Sequence, residues 1–180
     1  FDVLAVRAPK DFVQQFQSFQ ADIVCSAERL CGKKNCYFPE RYWSNESNIH
    51  NGEYINGHVY LNSGLIVGKS QCLAATLHTS LQKGHKDDQL AAIDCLEHAL
   101  SAHNMRMELD AQSKLFFNEV ALDYGLARSW HKSDDGLITC SLDERDVTPW
   151  FVHFPSFMFH RVMLDPFQFG KPRGHDNYER

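Results

Sequence analysis

Four short polar groups stand out in the sequence because their residue types could take part in chemistry. They are Asp2, the run Asn62-Ser63-Gly64, the run Asp87-Asp88-Gln89, and His153. Carboxylates and an imidazole can ligate a divalent cation, and a carboxylate can accept a proton from a hydroxyl group. Each group also has an ordinary structural explanation: a solvated acid at a strand end, a turn, a helix cap or a satisfied core histidine. Which explanation holds depends on the elements that position them.

The chain of 180 residues has the composition of a globular protein, with 43% hydrophobic and 23% charged residues. Its net charge of −5 disfavours duplex nucleic acid as a partner. No apolar run approaches the ~20 residues that a bilayer-spanning helix needs. We expect one domain over residues 1–165 and a loose tail, rich in Gly, Pro and charge, over residues 166–180.

Strand and helix patterns alternate along the first part of the chain. Residues 1–6 are typical of the end of a buried strand, and because Phe1 is not a methionine we expect further strands upstream in a longer parent chain. A strand is also predicted over residues 21–26. Between them, apolar residues on one face predict a short helix after Pro9, namely Phe12, Val13, Phe16 and Phe19.

The middle of the chain carries two further helix patterns. Strand pieces at 59–61 and 65–67 flank Asn62-Ser63-Gly64, whose small polar residues and glycine permit either an ordinary tight turn or a close approach of the backbone to a ligand. Apolar residues at helical spacing predict a helix over 73–81 that stops near Gly84 and a second helix over 90–100. Short strands are predicted at 106–109, 114–117, 137–142 and 150–153. Strands interleaved with helices indicate an α/β sandwich.

The six cysteines form no CxxC pair, so neither a zinc finger nor a thioredoxin-like site is indicated. Cys31 and Cys36 flank a polar stretch and are the pair that could close as a short disulfide. Asn45-Glu46-Ser47 is a sequon for N-glycosylation. Both features are typical of the lumen of the secretory pathway, in the endoplasmic reticulum or Golgi, or of a secreted protein.

Taken together and in order, the polar groups resemble the glycosyltransferase domain of the procollagen lysyl hydroxylases and the related collagen glycosyltransferases. That family has an acidic DxxD or DxD motif followed by a strand, then SAE, LNSG, DDQ, an LD…S…F segment and a strand that ends in VH. The corresponding residues here are Phe1-Asp2-Val3, Ser26-Ala27-Glu28, Leu61-Asn62-Ser63-Gly64, Asp87-Asp88-Gln89, Leu109-Asp110 with Ser113 and Phe116-Phe117, and Val152-His153. The resemblance spans residues 1 to about 155. It implies a GT-A-like nucleotide-sugar transferase sandwich that is incomplete at its amino terminus.

The resemblance implies transfer of a hexose from a UDP-sugar to a hydroxyl acceptor with the help of Mn²⁺. By this analogy Asp2 is the last carboxylate of the acidic motif, His153 is the distant imidazole ligand, and a partner acid stands two or three residues before Phe1. Such an ion acts as a Lewis acid on the diphosphate leaving group. Oxygen ligands with one nitrogen suit Mn²⁺, whose preference lies between those of magnesium and zinc.

The family also places an acidic pair beside the donor sugar and the acceptor hydroxyl. Asp88 is therefore expected to orient that hydroxyl or accept its proton, with Asp87 as the second candidate. The alternative for this pair is capping of the helix that begins here. Gln89 is expected to contact the sugar, and Asn62, Ser63 and Gly64 are expected to line its pocket. Asp110 is expected near the donor site, or else is a simple loop acid.

The acceptor implied by the family is hydroxylysine, or galactosyl-hydroxylysine, on a collagen-like chain. Residues 31–57 show no periodicity and predict a long loop rich in aromatic residues. Its rings either stack on the acceptor or pack beneath the loop as a separate cluster. Trp43 is the residue that we expect at the acceptor site.

The chain departs from the family pattern after His153. There the family has a glycine-rich segment with a lysine that holds the diphosphate, whereas this chain has Phe154-Pro155-Ser156-Phe157. The spacing of Arg161 and Lys171 does not support a direct replacement. The alternative hypothesis is therefore a degenerate, non-catalytic glycosyltransferase-like module that binds sugar or protein. A metal hydrolase is disfavoured because no HxxEH-type or paired-histidine motif occurs.

Overall fold

The computed structural model describes residues 3–28, 49–50, 53–54, 60–84, 88–118, 129–134, 136–142 and 145–153. Within these ranges the protein is a mixed α/β structure of helices and small sheets, so the α/β class predicted from the sequence is confirmed. The elements in chain order are β1 (Val3–Ala5), α1 (Phe12–Ser18), β2 (Ile23–Glu28), β3 (Ile49–His50), β4 (Glu53–Tyr54), β5 (Tyr60–Gly68), α2 (Ser70–Lys83), α3 (Asp88–His103), β6 (Met107–Asp110), β7 (Phe116–Asn118), β8 (Ser129–Lys132), β9 (Ile138–Leu142), β10 (Arg145–Val147) and β11 (Phe151–His153).

Strand β2 is central because both of its faces are covered. It pairs antiparallel with β5 and parallel with β6. Ile23, Cys25 and Ala27 pack with buried residues of α2, α3 and β6, whereas Val24 packs in a second cluster with Leu115 and other residues around β7. A strand buried on both faces needs small or apolar residues throughout rather than an alternating pattern. The strand predicted over 21–26 is therefore present, although it begins and ends later.

Strand β5 carries a bulge where the sequence permits a tight turn. Cys25 of β2 is paired with Ile66, but the next residue, Ser26, is paired with Asn62, so three residues of β5 bulge out of the ladder between these partners. The strand nevertheless continues on both sides of the bulge, from Tyr60 to Gly68. The two predicted strand pieces are therefore present as parts of one strand, and the segment between them is a bulge and not a turn. Small polar residues with a glycine favour bulges as well as turns, and the residues alone do not separate the two.

Strands β1, β11 and β7 form a sheet in that order. Strand β11 runs antiparallel to β1, with Val3 opposite His153, and parallel to β7, with His153 opposite Asn118. The strand predicted over residues 1–6 is present as Val3–Ala5, but its prediction as buried is wrong, since Val3 is 36% exposed. Strand β1 has a ladder neighbour only in β11 among the described strands, which leaves its side chains less covered than those of β2.

The helices follow the predicted patterns, but two predicted faces are wrong in part. In α1, Phe12 packs edge-on against Trp150 as an inward residue, whereas Val13 is 63% exposed. Helix α2 ends at Lys83, next to Gly84 as predicted, because Gly84 takes the left-handed conformation with φ 62°. The leucine repeat of α2 predicts a helix but not its buried face, since Leu77 and Leu81 are 64% and 82% exposed.

The remaining strand predictions correspond to β6, β7, β9 and β11, while β8 and β10, which flank β9, are missed. The antiparallel pair of β3 and β4 is missed as well, because both strands lie within the long loop predicted over residues 31–57. The predictions for residues 31–48, including Cys31, Cys36 and the sequon, and for the tail over 166–180 lie outside the described residues. Among the described cysteines, Cys25, Cys72 and Cys140 are buried thiols without a disulfide. In the described parts of the chain, no helix has the length and apolar character needed to cross a bilayer.

Candidate functional site

The bulge of β5 is held against the carboxyl end of β2 by the side chain of Asn62. Its Nδ2 donates to Glu28 Oε2 at 2.9 Å, and its Oδ1 accepts from the backbone N–H of Gly64 at 2.8 Å. The Ser26 hydroxyl donates to the carbonyl of Asn62 at 3.0 Å. The bulge is therefore a defined conformation, fixed by hydrogen bonds from both strands, and not a loosely tethered loop.

Gln89, in the first turn of α3, fastens that helix to the same bulge. Its Oε1 accepts from the backbone N–H of Ser63 at 2.7 Å. Its Nε2 donates to Glu28 Oε1 at 3.1 Å and to the carbonyl of Leu61. Both amide hydrogens of Gln89 are thus used within the protein. This geometry gives Gln89 a positioning role, while its expected contact with a sugar stays a prediction.

Glu28 is the acceptor on which these two amides converge. One carboxylate oxygen accepts from Asn62 and the other from Gln89. Burial raises the pKa of this carboxyl, and the two amide hydrogen bonds oppose that rise. A carboxylate fits here because, when ionised, it only accepts hydrogen bonds and so matches two donors at once.

His153, at the end of β11, is buried and tied to two other strands. Its Nδ1 lies 2.8 Å from Oδ1 of Asn118 on β7. Asn118 Nδ2 donates in turn to the carbonyl of Ala27 on β2 at 2.7 Å. The relative exposures of His153 and Asn118 are 6% and 1%. These bonds connect the sheet that carries β11 to the strand that carries Glu28.

Gly64 joins the two parts of the site. A Cβ atom built on Gly64 would lie 2.2 Å from His153 Cε1, closer than real Cβ atoms approach any heavy atom. The imidazole ring therefore occupies the space that a side chain at position 64 would need. The structure brings together five of the predicted site residues, which are Asn62, Ser63, Gly64, Gln89 and His153.

Asp88 is the first residue of α3 and directly precedes Gln89, as the helix pattern predicts. Its side chain lies outside the described part of the structure, as do the residues Asp2, Asp87 and Trp43. Val3, the neighbour of Asp2 in the chain, is the register partner of His153. The functional roles expected for Asp2, Asp87, Asp88 and Trp43 remain predictions.

Asp110 is buried at the end of β6, where it is the register partner of Ser26, and its carboxylate has a structural role. Oδ2 accepts from the backbone N–H groups of Leu115 and Phe116 at 2.6 and 2.8 Å, and Oδ1 accepts from that of Lys114 at 2.8 Å. Burial raises the pKa of this carboxyl, and the backbone donors oppose the rise. The carboxylate holds the turn between β6 and β7, and its expected contact with the donor stays a prediction.

The donor set for a divalent cation is only partly within the described residues. No group of three or more His, Cys, Asp or Glu side chains that could hold a metal occurs among them. His153 supplies an imidazole at the carboxyl end of β11, where the register places the neighbour of Asp2 opposite. An imidazole with carboxylate oxygens is a donor set that fits Mn²⁺.

Two residues of the site were not singled out as site residues from the sequence. Glu28 belongs to the SAE motif, and its position at a strand end beside polar groups is the signal that indicates it. Asn118 follows two buried phenylalanines in β7 and gives no motif signal of its own. Its role depends on partners that are distant in sequence, Ala27 and His153.

Comparison with protein-family models gives a match over most of the chain. The matching family model is that of a glycosyltransferase domain, described as the PLOD GT domain, and it covers residues 1–137. The chain therefore belongs to the PLOD-type glycosyltransferase domain family, as the sequence resemblance predicts. The match includes Glu28, Asn62, Gln89 and Asn118 but ends before His153. A search of curated proteins found none that matches this chain.

Proposed function

We propose that this chain is a Mn²⁺-dependent hexosyltransferase domain of GT-A-like fold, which transfers a hexose from a UDP-sugar to a hydroxyl acceptor. The acceptor that we propose is hydroxylysine or galactosyl-hydroxylysine on a collagen-like chain, modified in the lumen of the secretory pathway. Besides membership of the family, one structural observation supports this proposal. The bulge of β5, the start of α3 and the end of β11 converge, and the side chains of Gln89, Asn62 and His153 hold them together.

Asp88 is the proposed catalytic carboxylate, with Asp87 as the second candidate. A general base has to stay within hydrogen-bond reach of the hydroxyl that it deprotonates. The adjacent Gln89 is bonded to three groups on β5 and β2, which restrains the backbone at Asp88. In the proposed reaction the acceptor oxygen bonds to the anomeric carbon, the bond from that carbon to the UDP oxygen breaks, and Asp88 takes the hydroxyl proton.

The donor pocket is proposed to be lined by Asn62, Ser63 and Gly64, with Gln89 and Asp110 nearby. Glu28 supports this pocket because its carboxylate orients the amides of Asn62 and Gln89. The polar groups of this pocket are already hydrogen-bonded to one another, so they do not have to reorganise when substrate binds. This preorganisation lowers the free-energy cost of binding.

Asp2 and His153 are the residues proposed to hold Mn²⁺. When bound, the ion would stabilise the negative charge that develops on the leaving diphosphate. The contribution of the chain itself is the placement of its ligands. Packing against Gly64 and the bond to Asn118 define the orientation of the His153 ring.

The proposal is tested by measuring UDP release from UDP-glucose and UDP-galactose, with and without Mn²⁺ and a hydroxylysine-containing peptide. We expect Mn²⁺-dependent release that Asp88→Asn reduces by about 10²-fold or more. Asp94→Asn is the matched control, because Asp94 lies on the same helix and pairs with Lys83 at 3.0 Å on the surface. Wild-type rates in Asp88→Asn with an unchanged melting temperature would rule out the catalytic assignment.

A non-catalytic sugar-binding module is the second candidate, and one sequence observation favours it. The segment after His153 lacks the glycines and the lysine of the family, and the family match ends at residue 137. In that case calorimetry would detect binding of a UDP-sugar or a glycosylated peptide, and no UDP would be released under any metal condition.

A further inference from the structure

Asn118 occupies a position from which it can act on His153 without contacting substrate. It is 1% exposed, at the carboxyl end of β7, where it is the register partner of His153. Its amide group makes two hydrogen bonds. Nδ2 donates to the carbonyl of Ala27 at 2.7 Å, and Oδ1 lies 2.8 Å from Nδ1 of His153.

The bond to Ala27 determines which way the amide of Asn118 faces. A backbone carbonyl only accepts hydrogen bonds, so the amide group that faces Ala27 must be the NH₂ group. The oxygen of Asn118 then faces His153, and because this oxygen only accepts, Nδ1 of His153 must donate. In the neutral imidazole the lone pair consequently lies on Nε2.

We propose that Asn118 is a positioning residue that fixes the tautomer and the ring orientation of His153. It holds the proton on Nδ1, so that in the neutral ring the lone pair is on Nε2, while Gly64 leaves room for the ring. Partners of this kind orient histidine ligands in metal sites. The expected effect of Asn118 on metal binding rests on the proposed function, whereas its expected effect on the tautomer of His153 does not.

The tautomer is read directly from ¹⁵N–¹H correlation spectra of the imidazole rings in the full chain. His153 is assigned by the signal that disappears in His153→Gln. We expect Nε2 to resonate as the unprotonated nitrogen in the wild type. Asn118→Asp keeps an acceptor opposite Nδ1 and should keep the proton on that nitrogen, whereas Asn118→Leu should lose this preference. Leu115→Ala, a buried change in the turn before β7, controls for lost stability.

Mn²⁺ alone is the second probe, with its dissociation constant measured from the electron paramagnetic resonance signal of the free ion. We expect Asn118→Leu to weaken binding by about 10- to 100-fold. Leu115→Ala should change it by less than about threefold, a difference smaller than 1 kcal/mol. If the wild type binds no Mn²⁺, the metal part of the proposed function fails, and the spectra still test the tautomer. Protonation of Nε2 in the wild type, or the wild-type pattern in Asn118→Leu, would overturn the role of Asn118.

Discussion

Gly64 and the imidazole ring of His153 are in contact across two sheets, with room for a hydrogen but not for a methyl group. A Cβ at position 64 would stand 2.2 Å from Cε1 and 2.5 Å from each ring nitrogen. The need for glycine here is therefore steric. Glycine is required at position 64 because the His153 ring in β11 fills the space beside it, and not because of the local backbone conformation.

Gly64→Ala should displace the ring of His153. Overpacking of a folded core costs about 1–3 kcal/mol, so the free energy of unfolding should fall by that amount, and Mn²⁺-dependent turnover should fall with it. Gly68→Ala is the matched control on the same strand, since a Cβ there would lie 2.9 Å from the carbonyl oxygen of Asp22 and away from the histidine. Urea unfolding and turnover are measured for both. An equal loss of turnover in the two variants would show that general destabilisation is responsible.

Gln89→Leu should weaken the attachment of α3 to the bulge. The change leaves the N–H of Ser63 and one oxygen of Glu28 without their present partner, which typically costs about 1–3 kcal/mol. We also expect kcat to fall, because the backbone at Asp88 loses its restraint. Gln71→Leu, an exposed change on α2, should alter stability by no more than about 0.5 kcal/mol. Unchanged unfolding of Gln89→Leu would contradict the proposed attachment.

Asp22→Asn should lower stability in a way that depends on pH. The Asp22 carboxylate accepts from Lys69 at 2.6 Å and from the backbone N–H of Arg106 at 2.8 Å, and the first of these bonds is the main reason why its pKa is lowered. A lowered pKa stabilises the fold above the unfolded value of ~3.9, and this contribution is lost as the pH falls through the folded value.

At pH 7 the difference between wild type and Asp22→Asn should be no more than about 1 kcal/mol, because Lys69 is 56% exposed and solvent screens the pair. In urea titrations from pH 7 to pH 2, the difference should shrink at the acid end. A difference that stays constant over this range would contradict the electrostatic explanation.

Ser113→Gly should stabilise the turn that Asp110 holds. Ser113 has φ 54°, a left-handed conformation that is unfavourable for residues with a side chain, and its buried hydroxyl has no hydrogen-bond partner among the described residues. Glycine relieves the conformational strain and removes the buried hydroxyl, so the melting temperature should rise by about 2–4 °C. Asn104→Gly, at φ 50° on the surface, should gain less because asparagine tolerates this conformation. A lower melting temperature for Ser113→Gly would indicate that the hydroxyl is stabilising.

Local patterns in the sequence predict most helices and the central strand of the fold. The periodicity before Gly84 and the apolar run around Val24 are signals that depend on neighbouring residues only. The bulge at Ser63 could not be separated from a turn, because its identity depends on the pairing of β5 with β2. Leu77 and Leu81 of α2 show the same limit, because their spacing predicts a helix but not which side chains of that helix are buried.

The candidate site was predicted as a set of motifs but not as a network. The family pattern led to Asn62, Gln89 and His153, which do converge, but it gave no sign that Glu28 binds the amides of Asn62 and Gln89. Asn118 and the reason for Gly64 could not be inferred, because each is defined by a contact with His153 from a distant part of the chain.

The pairing of Val3 with His153 has a consequence for biosynthesis. Among the described strands β1 leaves the ribosome first, but its described ladder partner, β11, is the last of them to be made. Contacts that close so long a loop form late and slow folding. During translation β1 therefore presents an open edge, and the imidazole end of the site is absent until residue 153 has emerged. A nascent chain that stalls before this point would be a substrate for chaperones that shield unpaired strands.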